Sequence, residues 1–182
     1  MNFYISDLHF GHENILKYDG RPFNTMDEMT EVVIRNWNSV VKHNDTVYVL
    51  GDFAWKDSIG ADVASQLNGK KILIKGNHDN RLGSSLRTCF SSVHDYLTLT
   101  DNNIRLVLSH YPIAHWDRQY YDSILLYGHI HNSKEEDFFQ EYLRNFSLYI
   151  CKPIHAFNVG CMQPYMNYTP RTLKELLSIR RV

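Results

Sequence analysis

The chain has 182 residues, 43% hydrophobic and 21% charged, with a formal net charge of -1 and a sequence pI of about 6.8. That length predicts one domain over residues 1–182 with a substantial core, and the charge excludes the global basic footprint of a general nucleic-acid binder. Three scattered cysteines without a CxxC pair argue against a disulfide framework. No signal peptide and no bilayer-spanning run is read, so a cytoplasmic protein in a reducing compartment is expected.

The first strand is read at Phe3-Tyr4-Ile5, running into Ser6-Asp7-Leu8-His9. In an extended strand end Asp7 and His9 point to one side, a carboxylate and an imidazole ready for one ion. His12, Asn14 and Arg21 follow in a loop, either as further contacts of the same site or as exposed residues. Thr25 and Glu28 are spaced as a capping box for a helix with Met29, Val33, Trp37, Val40 and Val41 on its core stripe. A second apolar strand, Thr46 to Leu50, stops at Gly51-Asp52, followed by the aromatics of Phe53-Ala54-Trp55. A helix over Ala61 to Leu67 closes at Asn68-Gly69.

The run Lys71-Ile72-Leu73-Ile74 is a third buried strand, ending at Gly76-Asn77-His78-Asp79 with Asn80-Arg81 after it. After a helical piece at Leu86 to Phe90, Val93–Thr100 and Ile104–Ser109 read as a hairpin across Asp101-Asn102-Asn103, delivering His110. Ile124 to Tyr127 delivers Gly128-His129-Ile130-His131. Ser133 and Glu136 read as a second capping box, opening a helix with Phe138, Phe139, Tyr142, Leu143 and Phe146 on one face. Ala156 to Gly160 is a closing strand, and Thr169-Pro170 an N-cap and first-turn proline for a last helix through Ile179.

Five strand ends thus supply Asp7, His9, Asp52, Asn77, His78, His110, His129 and His131, and five of the ten histidines fall directly after apolar strands. In open α/β sheets ligands bind at the carboxyl ends of strands. Mixed His, Asp and Asn donors without thiolates suit a transition metal with open positions rather than a closed structural zinc site. Seven of these eight as ligands exceed one ion's needs and suit two ions about 3.5–4 Å apart sharing a carboxylate.

Asp7-x-His9, Gly51-Asp52, Gly76-Asn77-His78-Asp79, His110 and Gly128-His129-x-His131 occur in the order of the calcineurin-like metallophosphoesterase superfamily. The opening Asp-Leu-His-Phe-Gly-His with Arg21-Pro22-Phe23 resembles a branch of small microbial and phage-type phosphoesterases. The resemblance implies an α/β fold, a four-layer αββα sandwich of two mixed sheets flanked by helices, with a dinuclear centre at the strand ends. Asp7, His9 and His131 would hold one ion, Asn77, His110 and His129 the other, and Asp52 would bridge them. His78 would be the catalytic imidazole, oriented by Asp79. Protein phosphatases of the superfamily follow Gly-Asp with a Val-Asp-Arg-Gly type sequence; Phe53-Ala54-Trp55-Lys56 stands here instead.

The chemistry expected is hydrolysis of phosphate mono- or diesters. Two divalent ions, manganese first and iron, zinc, cobalt or nickel as alternatives, clamp the phosphate and yield a bridging hydroxide that attacks phosphorus. His78 then protonates the leaving oxygen as general acid. Arg81, Arg21 and His12 are candidate substrate contacts. The substrate expected is a small phosphate ester or nucleotide-like molecule, with an oligonucleotide also open and no membrane partner. Two other classes are compatible with the same residues: a non-catalytic metal-binding scaffold and a phosphate sensor of the same fold.

Overall fold

A computed structural model describes residues 1–81 and 83–179, the side chain of Arg81 excepted. In chain order the elements are β1 (Asn2–Ile5), α1 (Ile15–Tyr18), α2 (Met26–Val40), β2 (Thr46–Val49), α3 (Asp57–Gln66), β3 (Lys70–Ile74) and a 3-10 turn, His78–Arg81. They continue with α4 (Ser84–Thr88), β4 (Ser92–His94), β5 (Leu97–Asp101), β6 (Ile104–Leu108), β7 (Ile124–Tyr127), α5 (Lys134–Tyr149), β8 (Ala156–Asn158) and α6 (Leu173–Ser178). Among the described residues no helix is long and apolar enough to cross a membrane.

The strands form two four-stranded sheets, ordered β1-β2-β3-β4 and β5-β6-β7-β8. Every pair in the first sheet is parallel, whereas the second is mixed, because β5 and β6 are antiparallel and β7 and β8 follow in parallel. The single arm expected over Val93–Thr100 is therefore two strands in different sheets. β4 pairs with β3, two residues (Asp95-Tyr96) make the crossing, and β5 starts the second sheet. Alternation cannot reveal such a crossing, because each short piece is strand-like by itself.

Side-chain alternation sorts the layers. Tyr4 stacks on Tyr48 with ring centroids 5.5 Å apart and gives its hydroxyl to Asp101 of β5 at 2.7 Å, so this face of the first sheet meets the second. In the second sheet Leu106, Leu108, Ile124 and Leu126 join the large core shared with the first sheet. Their neighbours Val107, Leu125 and Tyr127 turn to the other side and pack with Phe139 and Leu143 of α5. Helix α2 buries Met29, Val33 and Trp37, and Val41 is buried just past its end, as the stripe predicts.

Several boundaries differ from the sequence reading, each for a local reason. Helix α3 begins at Asp57, four residues before Ala61. Thr25 and Ser133 do cap their helices, accepting from Glu28 N–H and Glu135 N–H. Neither closes a capping box: Glu28 turns back to Asn24 N–H at 2.8 Å, and Glu136 is taken by Tyr127 and Asn158. The reciprocal box is at Thr172 and Glu175, so the last helix starts after Thr172 rather than at Thr169-Pro170. On α5 Phe139 and Leu143 are buried but Phe138 is 74% exposed, so it leaves the expected apolar face.

Trp37 ties α2 to the loop before β3. Its ring is fully buried and its indole N–H donates to the Asn68 carbonyl at 2.9 Å. Trp37→Ala is expected to lose about 3–5 kcal/mol of unfolding free energy in urea, the range for a large buried aromatic. A loss below about 1 kcal/mol would mean that α2 is not anchored through this residue.

Candidate metal centre

The candidate ligands stand just beyond the strand ends, where the turns after β1 and β2 are laced together. Asp7 N–H donates to Gly51 O at 3.1 Å and His9 N–H to Asp52 O at 2.9 Å. These turns are not extended. Asp7, His9, Asp52, His129 and His131 have φ of 58°, 53°, 53°, 72° and 49°, the left-handed region. What aims Asp7 and His9 into one site is thus a pair of left-handed residues, not strand alternation. A left-handed non-glycine residue costs about 1–3 kcal/mol and persists only where its surroundings over-determine it. Glycines make the crowding tolerable: a Cβ on Gly51 would strike the His110 ring, and one on Gly128 the Asp7 carboxylate.

Two carboxylates lie at the centre, Asp7 fully buried and Asp52 2% exposed. Asp7 accepts from Ser6 Oγ at 2.6 Å and from His129 N–H at 3.1 Å. Burial pushes the Asp7 carboxyl up, but the His131 bond and the fields of His110, His131 and His9 outweigh it and hold the group well below the usual range. Asp52 is pushed up to about 6, by burial first, with His110 opposing and the Asp7 charge adding. Burial lowers His9 to about 3, only partly offset by Asp7.

Ring tautomers are set from outside the centre. His110 Nδ1 lies 2.7 Å from the Leu50 carbonyl, which only accepts, so Nδ1 carries the proton. The Nε2 of that ring, when neutral, then presents a lone pair, 3.6 Å from Asp52 Oδ2 and 3.2 Å from Asn77 Oδ1. His131 Nδ1 is bonded to Asp19 Oδ1 at 2.5 Å, while its Nε2 faces His9 Nε2 at 3.3 Å and Asp7 Oδ1 at 3.5 Å. Burial opposes protonation of His131, yet the bonds to Asp19 and Asp7 raise it to about 9. With their Nδ1 atoms tied to outside acceptors, His110 and His131 turn Nε2 toward the two carboxylates; a cation there would take the place of the His131 proton, and this donor set fits divalent ions.

Three groups have donor atoms within 4.8 Å of one another: Asp7, His9 and His131; His9, Asp52 and His78; and Asp7, Asp52 and His110. The first is one of the ligand sets expected from the sequence. Asp7, His9 and Asp52 each belong to two of the three groups, Asp52 to the second and third. Asn77 stands beside His110, and the His129 ring packs on His110 at 5.0 Å and on Tyr111 at 4.6 Å. His78 keeps Nε2 3.9 Å from Asp52 Oδ2, and its N–H donates to Asp52 Oδ1 at 2.9 Å.

Two expected roles change. Asp79 does not orient His78: its carboxylate accepts from the backbone N–H groups of Asp52, Gly76 and Phe53 at 2.7, 2.8 and 3.3 Å, fastening the turns after β2 and β3 to each other. Arg21 is no phosphate clamp, because its guanidinium is buried. It donates to the carbonyls of Asp7 at 2.8 Å and Leu8 at 3.1 Å and pairs with Asp19 at 2.8 Å. The Arg81 side chain lies outside the described residues.

Sequence reasoning missed Asp19, which lies in an unpatterned loop; the Asp19-x-Arg21 spacing is its only signal. His12 does lie near the centre. Its ring stacks on Trp55 at 4.2 Å and 11° and is 6.2 Å from the His78 ring. Beside them opens a cavity of about 620 Å³ lined by residues including Trp55, Asn77, His78 and Asn80.

The calcineurin-like phosphoesterase superfamily domain matches residues 2–173. The uncharacterized protein MJ1445 of Methanocaldococcus jannaschii is 35% identical over 137 residues, 74% of this chain and 71% of its own. The gene 66 protein of Mycobacterium phage L5 is 28% identical over 160 residues, 71% of this chain and 76% of its own. The crystal structure of AQ665 from Aquifex aeolicus, a protein of unknown function, aligns over 99% of both chains with a TM-score of 0.74 and 29% identity.

The Asp19 bond fixes the tautomer and rotation of the His131 ring, the arrangement that raises a histidine's affinity for metal. Asp19→Asn keeps the size and removes the charge, so divalent-metal affinity read by titration is expected to fall about 10- to 100-fold with the circular dichroism spectrum unchanged. Unaltered affinity would show that Asp19 serves only the Arg21 ion pair.

Proposed function

Because the chain belongs to the calcineurin-like phosphoesterase superfamily, we propose that it hydrolyses phosphate mono- or diesters at a centre of two divalent metal ions. The observation that carries this reading is the Asp52 carboxylate: Oδ2 lies 3.5 Å from His9 Nε2, 3.6 Å from His110 Nε2 and 3.9 Å from His78 Nε2. Asp7, His9 and His131 would hold one ion and Asn77, His110 and His129 the other, with Asp52 between, manganese being the first candidate. Bound there, such ions supply positive charge toward phosphate oxygens and lower the pKa of water.

The chain's own groups do the rest. His78, one-third exposed at the rim and adjacent to Asn77, is the proton donor to the leaving oxygen. Water adds its oxygen to phosphorus as the ester P–O bond breaks; the leaving oxygen takes the His78 proton, and the water's proton passes to solvent, from which His78 is recharged. Asn77 adds a donor without charge, keeping the site attractive to an anion. Asp19, Arg21 and Asp79 position these groups. Burial of His9 and Asp52 keeps bulk water from screening the centre.

The test begins with metal. Manganese titration of the chelated protein is expected to saturate at two ions per chain with turnover of bis-p-nitrophenyl phosphate or p-nitrophenyl phosphate, and Asp52→Asn to weaken both. Saturation at one ion, unchanged in Asp52→Asn, would remove the dinuclear reading. For His78→Ala a loss of about 10²- to 10⁴-fold in turnover is expected on an alkyl ester, with a smaller loss on a nitrophenyl ester whose leaving group needs no proton. Equal losses on both would sink the proton-donor role.

A further inference from the structure

Tryptophan is the largest side chain available, and the three in this chain are treated differently. Trp37 is fully buried and Trp116 is 7% exposed, whereas Trp55 is 48% exposed. The exposed ring is nevertheless fixed. The Trp55 backbone N–H donates to Phe10 O at 2.9 Å, and Ala54 bridges Phe10. One face of the indole lies on the His12 ring at 4.2 Å, nearly parallel at 11°. The Nδ1 atom of His12 is buried with no hydrogen-bond partner, so the described contacts hold this ring in place by stacking. A buried bare ring nitrogen and a half-exposed indole are both unfavourable for stability alone.

The His78 ring sits 5.1 Å from the Trp55 ring, tilted by 47°, and both line the cavity of about 620 Å³. The cavity's two carboxylates are already engaged by backbone: Asp57 accepts from Leu86 N–H at 3.1 Å, and Asp79 holds three N–H groups. Asn80, exposed at the rim, gives one amide N–H to Asn77 O at 3.1 Å, which leaves its Oδ1 for an incoming polar edge. A group entering here meets an aromatic face on one side and the proton donor on another.

We propose that Trp55, buttressed by His12, walls a subsite for a flat aromatic ring carried by the leaving alcohol of the ester, a nucleobase or an aryl group. The assignment of the ring to the leaving side rests on the phosphoesterase reading, with His78 as its proton donor. Stacking of a base on an aromatic side chain is sequence-tolerant and contributes at the level of roughly tenfold in binding per ring. The subsite therefore selects ring-bearing esters over small alkyl ones of equal charge.

Two measurements decide it. In ¹H–¹⁵N spectra of the zinc-loaded protein, adenosine is expected to shift the Trp55 indole N–H and the amides of residues 77–80, while ribose leaves them in place. p-Nitrophenol in the same titration separates aryl groups in general from nucleobases. Silence toward both rings up to tens of millimolar overturns the proposal whether or not the protein is an enzyme. In turnover, the kcat/KM ratio of an adenosine-releasing ester over the matching methanol-releasing ester is expected to fall about tenfold in Trp55→Leu, mainly through KM, and less in Trp55→Phe. His12→Phe keeps a stacking partner and is expected to retain more of the ratio than His12→Ala. An unchanged ratio in Trp55→Leu refutes the subsite and leaves the phosphoesterase reading intact. Failure of the metal-loaded wild type to turn over any ester removes that reading, while the spectra still decide whether Trp55 binds a ring.

Discussion

The carboxylate of Asp7, cut off from water, is the constraint around which the centre is arranged. A buried charge must be met by donors or by opposite charge. Asp7 receives the Ser6 hydroxyl and the His129 N–H and faces the His131 ring, while its own backbone carbonyl is held by Arg21. These partners come from the turn after β1, from the loop after α1 and from the turn after β7. One group therefore fixes where three segments meet, and every other donor is placed relative to it. The second carboxylate, Asp52, is less fully compensated, which is why its proton affinity rises and why a cation between the two would relieve both.

Rigidity in this centre comes from backbone as much as from side chains. Five candidate ligands sit in left-handed conformations, and the turns that carry them are clamped by Asp79, by Arg21 and by direct N–H to carbonyl bonds. Aspartate and histidine tolerate that region better than branched residues do. The residue types that suit the metal are thus also those that suit the turn.

That coincidence explains what the sequence discloses and what it hides. Asp7, His9, Asp52, Asn77, His110 and His131 follow apolar strands, so hydrophobic pattern and candidate ligand chemistry mark the same places, and most strands and the gathering of these side chains are legible, while the two-sheet arrangement came from the family resemblance. Asp19 and the structural work of Arg21 are not, because a loop has no period and a guanidinium reads the same whether it will be buried or exposed. Asp79 misleads for a related reason: next to His78 in sequence, it points to backbone amides instead. The break between β4 and β5 is hidden because two residues suffice to change sheets. Glu28 and Glu136 have capping-box spacing, but stronger or nearer partners claim them.

Within each sheet the strands are neighbours in chain order, and the chain passes from one sheet to the other at Asp95-Tyr96. The portion before that point carries Asp7, His9, Asp52, Asn77 and His78; the portion after it carries His110, His129 and His131. The later portion also returns to β1 through the Ser6–Gly160 and Tyr4–Arg171 bridges. Neither half is a smaller version of the whole: each has one sheet with an uncovered apolar face and an incomplete set of donors. Cut at this crossing and supplied as two polypeptides, the molecule would be a complementation pair, in which the full donor set forms only when the two sheets reassociate in register. The seam between the sheets would then be at once the assembly interface and the setting of the candidate metal centre.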